Sequence, residues 1–120
     1  MHELSIALSM IDMAGEKALD HGGRVSALHL KLGPLSGVVR EALEFSYQIA
    51  SEGTVLAGSQ LIIEEVPVMI HCARCHRDEP VESIQNLRCP RCGELSADVI
   101  QGRELEVVAL ELEEVEEVVT

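Results

Sequence analysis

The chain has 120 residues, 47% of them hydrophobic, with no Trp, one Phe and one Tyr. That length predicts one domain, or one domain plus a small insertion, around an aliphatic core. Its formal net charge of −12, from 21 acidic and 9 basic residues, argues against binding nucleic acid, which needs a cationic footprint, and against anionic membrane surfaces.

Residues 3–21 predict an amphipathic helix. Leu4, Ala7, Leu8, Ile11, Ala14 and Ala18 recur at three- and four-residue spacing, and Met10 and Met13 widen the same apolar face as core residues. Glu3 sits where a helix N-terminus favours negative charge. His21-Gly22-Gly23 closes the helix, glycine being the usual C-terminal stop. Residues 24–32 alternate, with Leu28, Leu30 and Leu32 on one side and Ala27, His29 and Lys31 on the other, which predicts a half-buried strand with His29 facing solvent. Residues 33–37 form a turn whose Ser36 is placed to cap the next helix. That second helix is expected over 38–51 on Val39, Ala42, Leu43, Ile49 and Ala50, ended by Gly53.

Residues 60–66 predict a second strand that Pro67 ends, and residues 103–112 a third. The acidic tail from Glu113 to Thr120 is expected to fray. The second and third strands are expected as antiparallel neighbours, and the first two, joined through a helix, as a parallel pair. The fold class is therefore α+β: two helices on a small three-stranded mixed sheet, with an inserted four-cysteine zinc hairpin module.

That module is the stretch from His71 to Gly93, which holds every cysteine of the chain as Cys72-x-x-Cys75, thirteen intervening residues, and Cys89-x-x-Cys92. Two residues between cysteines let both sulfurs of a tight turn aim at one point, and two such turns supply a tetrahedral thiolate shell. Zn(II) favours that shell, and four thiolates leave no position for water, so the ion is structural. A rubredoxin-like iron site uses the same four thiolates, but almost no aromatic residues are present to shield a redox iron. Two disulfides suit a secreted domain, and a redox Cys-x-x-Cys pair needs no second copy. His71 and His76 flank the first pair, either as solvated histidines or as replacements for a cysteine ligand. Arg74, Arg77, Arg88 and Arg91 make the module locally basic and offset a zinc–thiolate cluster of net −2.

The apolar run Leu4–Ala14 follows no basic region and contains Asp12, unlike a signal peptide, and no stretch is long enough to span a bilayer. A reducing cytoplasm, where paired cysteines more often bind metal, is the expected compartment. No nucleophile–base set or nucleotide loop points to an enzyme.

The other informative end is Met1-His2-Glu3. A histidine at position 2 carries little weight alone, but its chemistry is specific. The α-amine of Met1, main-chain amides without helical partners and the His2 imidazole form an all-nitrogen chelate that suits Ni(II) or Cu(II). Glu3 adds an oxygen or orients His2.

Together Met1-His2-Glu3, LGPLSGV (32–38), EALEFSY (41–47), LIIEEVP (61–67), the Cys-x2-Cys-x13-Cys-Pro-x-Cys pattern and GRELEV (102–107) resemble the HypA/HybF family of hydrogenase nickel-incorporation proteins over residues 1 to about 113. The resemblance implies a nickel-binding α+β domain (1–68 plus 102–120) carrying an inserted zinc domain (69–101). It places the nickel-anchoring histidine on His2, the neighbouring acid on Glu3, and the zinc ligands on Cys72, Cys75, Cys89 and Cys92. It implies a non-enzymatic metallochaperone with structural Zn(II) and transported Ni(II). Its partners would be the hydrogenase-maturation GTPase and the precursor large subunit of a [NiFe] hydrogenase, and a homodimer is left open. Two other functions fit the cysteines alone: a zinc-ribbon protein-interaction adaptor without nickel transfer, and a rubredoxin-like iron electron carrier.

Overall fold

A computed structural model describes residues 2–114. Along the chain it has α1 (Glu3–His21), β1 (Gly23–Leu32), a 3-10 turn (Pro34–Ser36), α2 (Arg40–Ser51), β2 (Gln60–Glu65), β3 (Met69–Cys72), β4 (Arg77–Pro80), β5 (Val99–Gln101) and β6 (Leu105–Glu114). α1 covers the residues that the apolar spacing predicts. It ends on Gly22 in the left-handed region (φ 67°), whose N–H donates to the Ala18 and Leu19 carbonyls. The N-cap residue of α2, Val39, makes no side-chain cap bond. The expected cap from Ser36 is replaced by Glu3, whose Oε1 accepts the Val39 N–H at 3.3 Å. Among the described residues no helix is long and apolar enough to cross a membrane.

The first sheet is mixed, in the order β2-β1-β6. β2 runs alongside β1 in the same direction, as Arg24 Nη2 donating to Ala57 O (3.3 Å) and Val66 N–H donating to Leu32 O (2.9 Å) show. β6 runs the opposite way, from Gly33 N–H on Glu104 O (2.8 Å) to Ser26 Oγ–H on Glu111 O (3.0 Å). The expected pairing of the second strand with the last is therefore corrected: the first strand lies between them. β1 is the most buried of the three, with Val25, Ala27, Leu28, Leu30 and Leu32 in the core, and takes the centre, while the glutamate-rich β2 and β6 occupy edges where charge stays in water. Glu113 and Glu114, expected to fray, continue β6, because Gly23 of β1 brings its backbone against Glu113 O. Residues 115–120 of the expected tail lie outside the described residues. His29, expected in solvent, is half-buried with Nε2 3.5 Å from Glu111 Oε2.

The chain gathers into two compact units: residues 2–30, 38–63 and 107–114 form one, and residues 31–37 and 64–106 the other. The core of the first unit is aliphatic, as the composition requires. α1 contributes Ala7, Met10, Ile11, Ala14 and Ala18, and β1 contributes Val25, Ala27, Leu28 and Leu30. α2 contributes Leu43 and Tyr47, and Leu56 follows it. Each fully buried leucine contributes about 2 kcal/mol. Burying the Tyr47 ring raises the pKa of its hydroxyl, which donates to Ser59 Oγ at 2.6 Å, while Ser59 in turn donates to Leu56 O. Several expected core residues are instead exposed: Leu4, Leu8 and Met13 on α1, and Val39 and Ile49 on or beside α2. On α1 the small alanines take the centre of the buried arc and push Leu4, Leu8 and Met13 to its flanks. On α2 the buried line is Leu43, Tyr47 and Ser51, four residues apart, which turns Ile49 outward.

In the second unit β3 is the centre of a sheet ordered β4-β3-β5, antiparallel on both sides. Gly33 and Gly102 meet there backbone to backbone. A Cβ on Gly33 would lie 2.1 Å from Gly102 O, and Leu35 N–H donates to that same oxygen at 2.7 Å. Gly33→Ala should therefore destabilise the protein by about 3 kcal/mol in urea unfolding. By contrast Gly15→Ala, which meets only Val55 Cγ2 at 3.9 Å inside α1, should be stabilising by about 0.5–1 kcal/mol.

Candidate metal centre

β3 delivers Cys72 at its last residue, and the turn into β4 places Cys75 three residues on, with the Cys75 amide 3.5 Å from Cys72 Sγ. The second pair sits in a tighter loop. Cys89 N–H donates to Glu94 O (2.9 Å) and Gly93 N–H to Cys89 O (2.8 Å), and Arg88 bridges to Leu95. The two turns share one backbone device: the residue after the second cysteine is left-handed, Gly93 at φ 75° and His76 at φ 54°. That conformation swings the chain away so that both sulfurs face inward.

All four Sγ atoms lie within 4.8 Å of one another. Cys72 Sγ is 3.5 Å from Cys92 Sγ, and Cys75 Sγ is 3.9 Å from Cys89 Sγ. A tetrahedral shell with Zn–S bonds of about 2.3 Å sets its sulfurs about 3.8 Å apart, so the cluster fits a structural zinc site. Burial and the neighbouring sulfurs push the Cys75 thiol up to about 12, while the amides of Cys92 and Arg91 draw Cys89 down to about 7. Zinc binding at neutral pH thus displaces protons that the crowded thiols otherwise hold. The surrounding core is small: Ile70, Cys72 and Cys89 are buried, with Val81, Leu87 and Val99 packed against them.

Among the described residues these four cysteines are the group of three or more candidate ligands that converges. His71 does not join it; its Nδ1 is 2.9 Å from Asp78 Oδ1. His76 is exposed. One participant escaped the sequence. Glu79 is buried, with Oε1 3.0 Å from both Arg77 Nε and Arg91 Nε. Neither arginine aligns an N–H for a hydrogen bond to that oxygen, so the contacts are ionic. Arg77 follows the first cysteine pair and Arg91 lies inside the second, so one carboxylate ties both turns. Two of the arginines expected to offset the thiolates are thus directed at Glu79, and Arg88 donates to Gly93 O at 3.0 Å. Nothing in the local sequence marks Glu79, which follows two other charged residues, Arg77 and Asp78.

The N-terminal candidates belong to the first unit. His2 is the exposed N-cap residue of α1, with extended backbone (φ −88°, ψ 109°), and its carbonyl accepts the Ile6 N–H at 3.2 Å. Hydrogen bonds from its own amide and from Val39 hold the Glu3 carboxyl below the usual carboxylate range. Met1 lies outside the described residues.

Removing zinc with a chelator should abolish amide-exchange protection across residues 69–101 while the helical circular dichroism of α1 and α2 persists. His76→Gly should raise the unfolding stability of the zinc-loaded protein by about 1 kcal/mol by relieving the left-handed backbone, with zinc content unchanged by metal analysis.

The family model described as "Hydrogenase/urease nickel incorporation, metallochaperone, hypA" matches residues 1–112. The hydrogenase maturation factor HypA of Chloroflexus aurantiacus is 50% identical over 112 residues, covering 92% of this chain and 98% of that protein. The solution structure of the Ni metallochaperone HypA from Helicobacter pylori superposes with a TM-score of 0.63 at 20% identity, covering 95% of this chain and 99% of that one. A second HypA solution structure reaches 0.69 at 21% identity, covering 93% and 96%. At those identities the two structures establish the fold. The match along nearly the whole sequence and the half-identical relative of equal span establish the rest: the chain belongs to the HypA family of hydrogenase/urease nickel-incorporation metallochaperones.

Proposed function

We propose that this chain binds Ni(II) at its N-terminus and hands it to the precursor large subunit of a [NiFe] hydrogenase, acting with the hydrogenase-maturation GTPase in the cytoplasm. It does so as a carrier rather than an enzyme. The observation that carries this reading is the position of His2. It is exposed on extended backbone immediately before α1 and makes no side-chain cap bond. The amides that follow it in the first turn lack intrahelical acceptors. Imidazole, main-chain nitrogen and the Met1 amine form the nitrogen-rich set that Ni(II) favours over hard oxygen donors. Glu3, kept ionised and tied to the start of α2, fixes the direction in which His2 leaves the helix and contributes the accompanying carboxylate.

Zinc, on Cys72, Cys75, Cys89 and Cys92, has the separate task of folding the 69–101 domain. The nickel-binding domain is 1–68 plus 102–120. A carrier needs this division. Four thiolates hold an ion permanently, whereas a terminal chelate on an exposed helix start releases one to a better ligand set.

His2→Ala should abolish nickel binding in calorimetry of untagged protein, with zinc content and circular dichroism unchanged. A peptide tag fused before Met1 should do the same, and a C-terminal tag should not. Equal nickel affinity in wild type and His2→Ala would overturn the assignment.

A further inference from the structure

The two helices of the first unit carry more apolar surface than the fold covers. Leu4 and Leu8 on α1 are 48% and 47% exposed; Val39, Phe45 and Ile49 on or beside α2 are 56%, 65% and 50% exposed. Phe45 is the single phenylalanine of the chain, and it lies in solvent while Tyr47, two residues on, is buried. Leu4 and Leu8 share one flank of α1, as residues four apart do, and Phe45 and Ile49 share one face of α2 in the same way. α1 and α2 pack on each other, and the Glu3–Val39 hydrogen bond brings their starts together. Leu4, Leu8 and Val39 therefore gather at one end of the pair, with Phe45 and Ile49 one to three turns further along. The Ala7–Ala18 and Leu43–Tyr47 lines form the buried core of the pair, and the second apolar line leaves roughly half or more of each side chain uncovered.

The charge around this face selects what covers it. Asp12 and Glu16 border it on α1, and Glu41, Glu44 and Glu52 on α2. Arg40 offsets one of them, Glu44, through an ion pair at 2.7 Å, and Lys17 lies half a helical turn away from Leu8, so the rim stays net acidic. A second copy of a chain of net −12 would oppose carboxylate to carboxylate at this rim. The chain's own residues 115–120 carry Glu116 and Glu117 and no basic residue, so they meet the same repulsion. We infer that the α1–α2 face bearing Leu4, Leu8, Phe45 and Ile49 docks a basic amphipathic helix of a partner protein, apolar residues at i, i+3 and i+4 filling the line and Lys or Arg pairing with the acidic rim. This docking is independent of nickel binding.

The probe is a synthetic peptide of about 18 residues, long enough to form a helix on binding, with leucines at i, i+3, i+4 and i+7 and lysines elsewhere. A scrambled peptide of the same composition, with no apolar face, measures the bare charge effect. Titrated into ¹⁵N-labelled, zinc-loaded protein, the amphipathic peptide should shift the amides of residues 4–8 and 39–49. The double variant Phe45→Ser, Ile49→Ser should weaken binding at least about tenfold, as loss of an aromatic anchor does, with circular dichroism and zinc content unchanged. His2→Ala should leave peptide binding intact, which separates failure here from failure of the nickel assignment. Equal binding of the scrambled peptide, or shifts confined to other residues, would overturn the proposal. So would wild-type self-association in gel filtration that the double variant abolishes, since a second copy would then be the occupant. Co-sedimentation with zwitterionic lipid vesicles that depends on Phe45 would assign the face to a bilayer instead, and would equally overturn it.

Discussion

Four sulfurs within 4.8 Å of one another are the constraint on which the second unit depends. Burial and crowding by the other sulfurs push the Cys75 thiol up to about 12 while nearby amides draw Cys89 down to about 7, and the four are too few in apolar company to form a core themselves. Ile70 is the one aliphatic residue fully buried beside Cys72 and Cys89. Strand pairing brings the two cysteine turns into range, and the left-handed residues His76 and Gly93 aim them. Glu79 then ties them from outside through Arg77 and Arg91. Each device is weak alone, and each acts in the direction that a divalent ion completes.

The first unit is held by other physics. Alanine at three of the most buried positions of α1 leaves little side-chain bulk on its packed face, and Leu28 and Leu30 of β1 are fully buried in the same unit. The Glu3 carboxylate does two jobs at one place: it complements the N-terminal end of α1 and accepts the amide that begins α2. Glu3 is thereby anchored, while His2 beside it is exposed.

The cysteine site was legible because its chemistry is local: two pairs at fixed spacing decide the donor set before any tertiary contact is known. α1 was legible for the same reason, since a run of small apolar residues at helical spacing with a closing glycine leaves one conformation favoured. Sheet order was not, because pairing joins residues far apart in the chain, 85 positions for Ser26 and Glu111, and alternation reports a buried face but not a neighbour. Glu79 was hidden because its burial depends on two arginines from separate turns. Val39 and Ile49 were misplaced because a periodic stripe states how much of a helix is apolar, not which part the same chain covers.

That last distinction also bears on how a carrier is built. A donor set made of four thiolates releases protons on binding zinc and couples the ion to the folding of the segment that carries it, which makes the ion resident. A nitrogen chelate at a chain end has few covalent constraints to bring its donors together, so it binds loosely and gives way to a preformed pocket elsewhere. For such an ion to reach the right pocket, the carrier must be held beside it by contacts that do not involve the metal. On the docking inferred above, the exposed apolar side chains of α1 and α2 would provide that hold in the simplest physical form, because their burial adds affinity without competing for any ligand of the cargo.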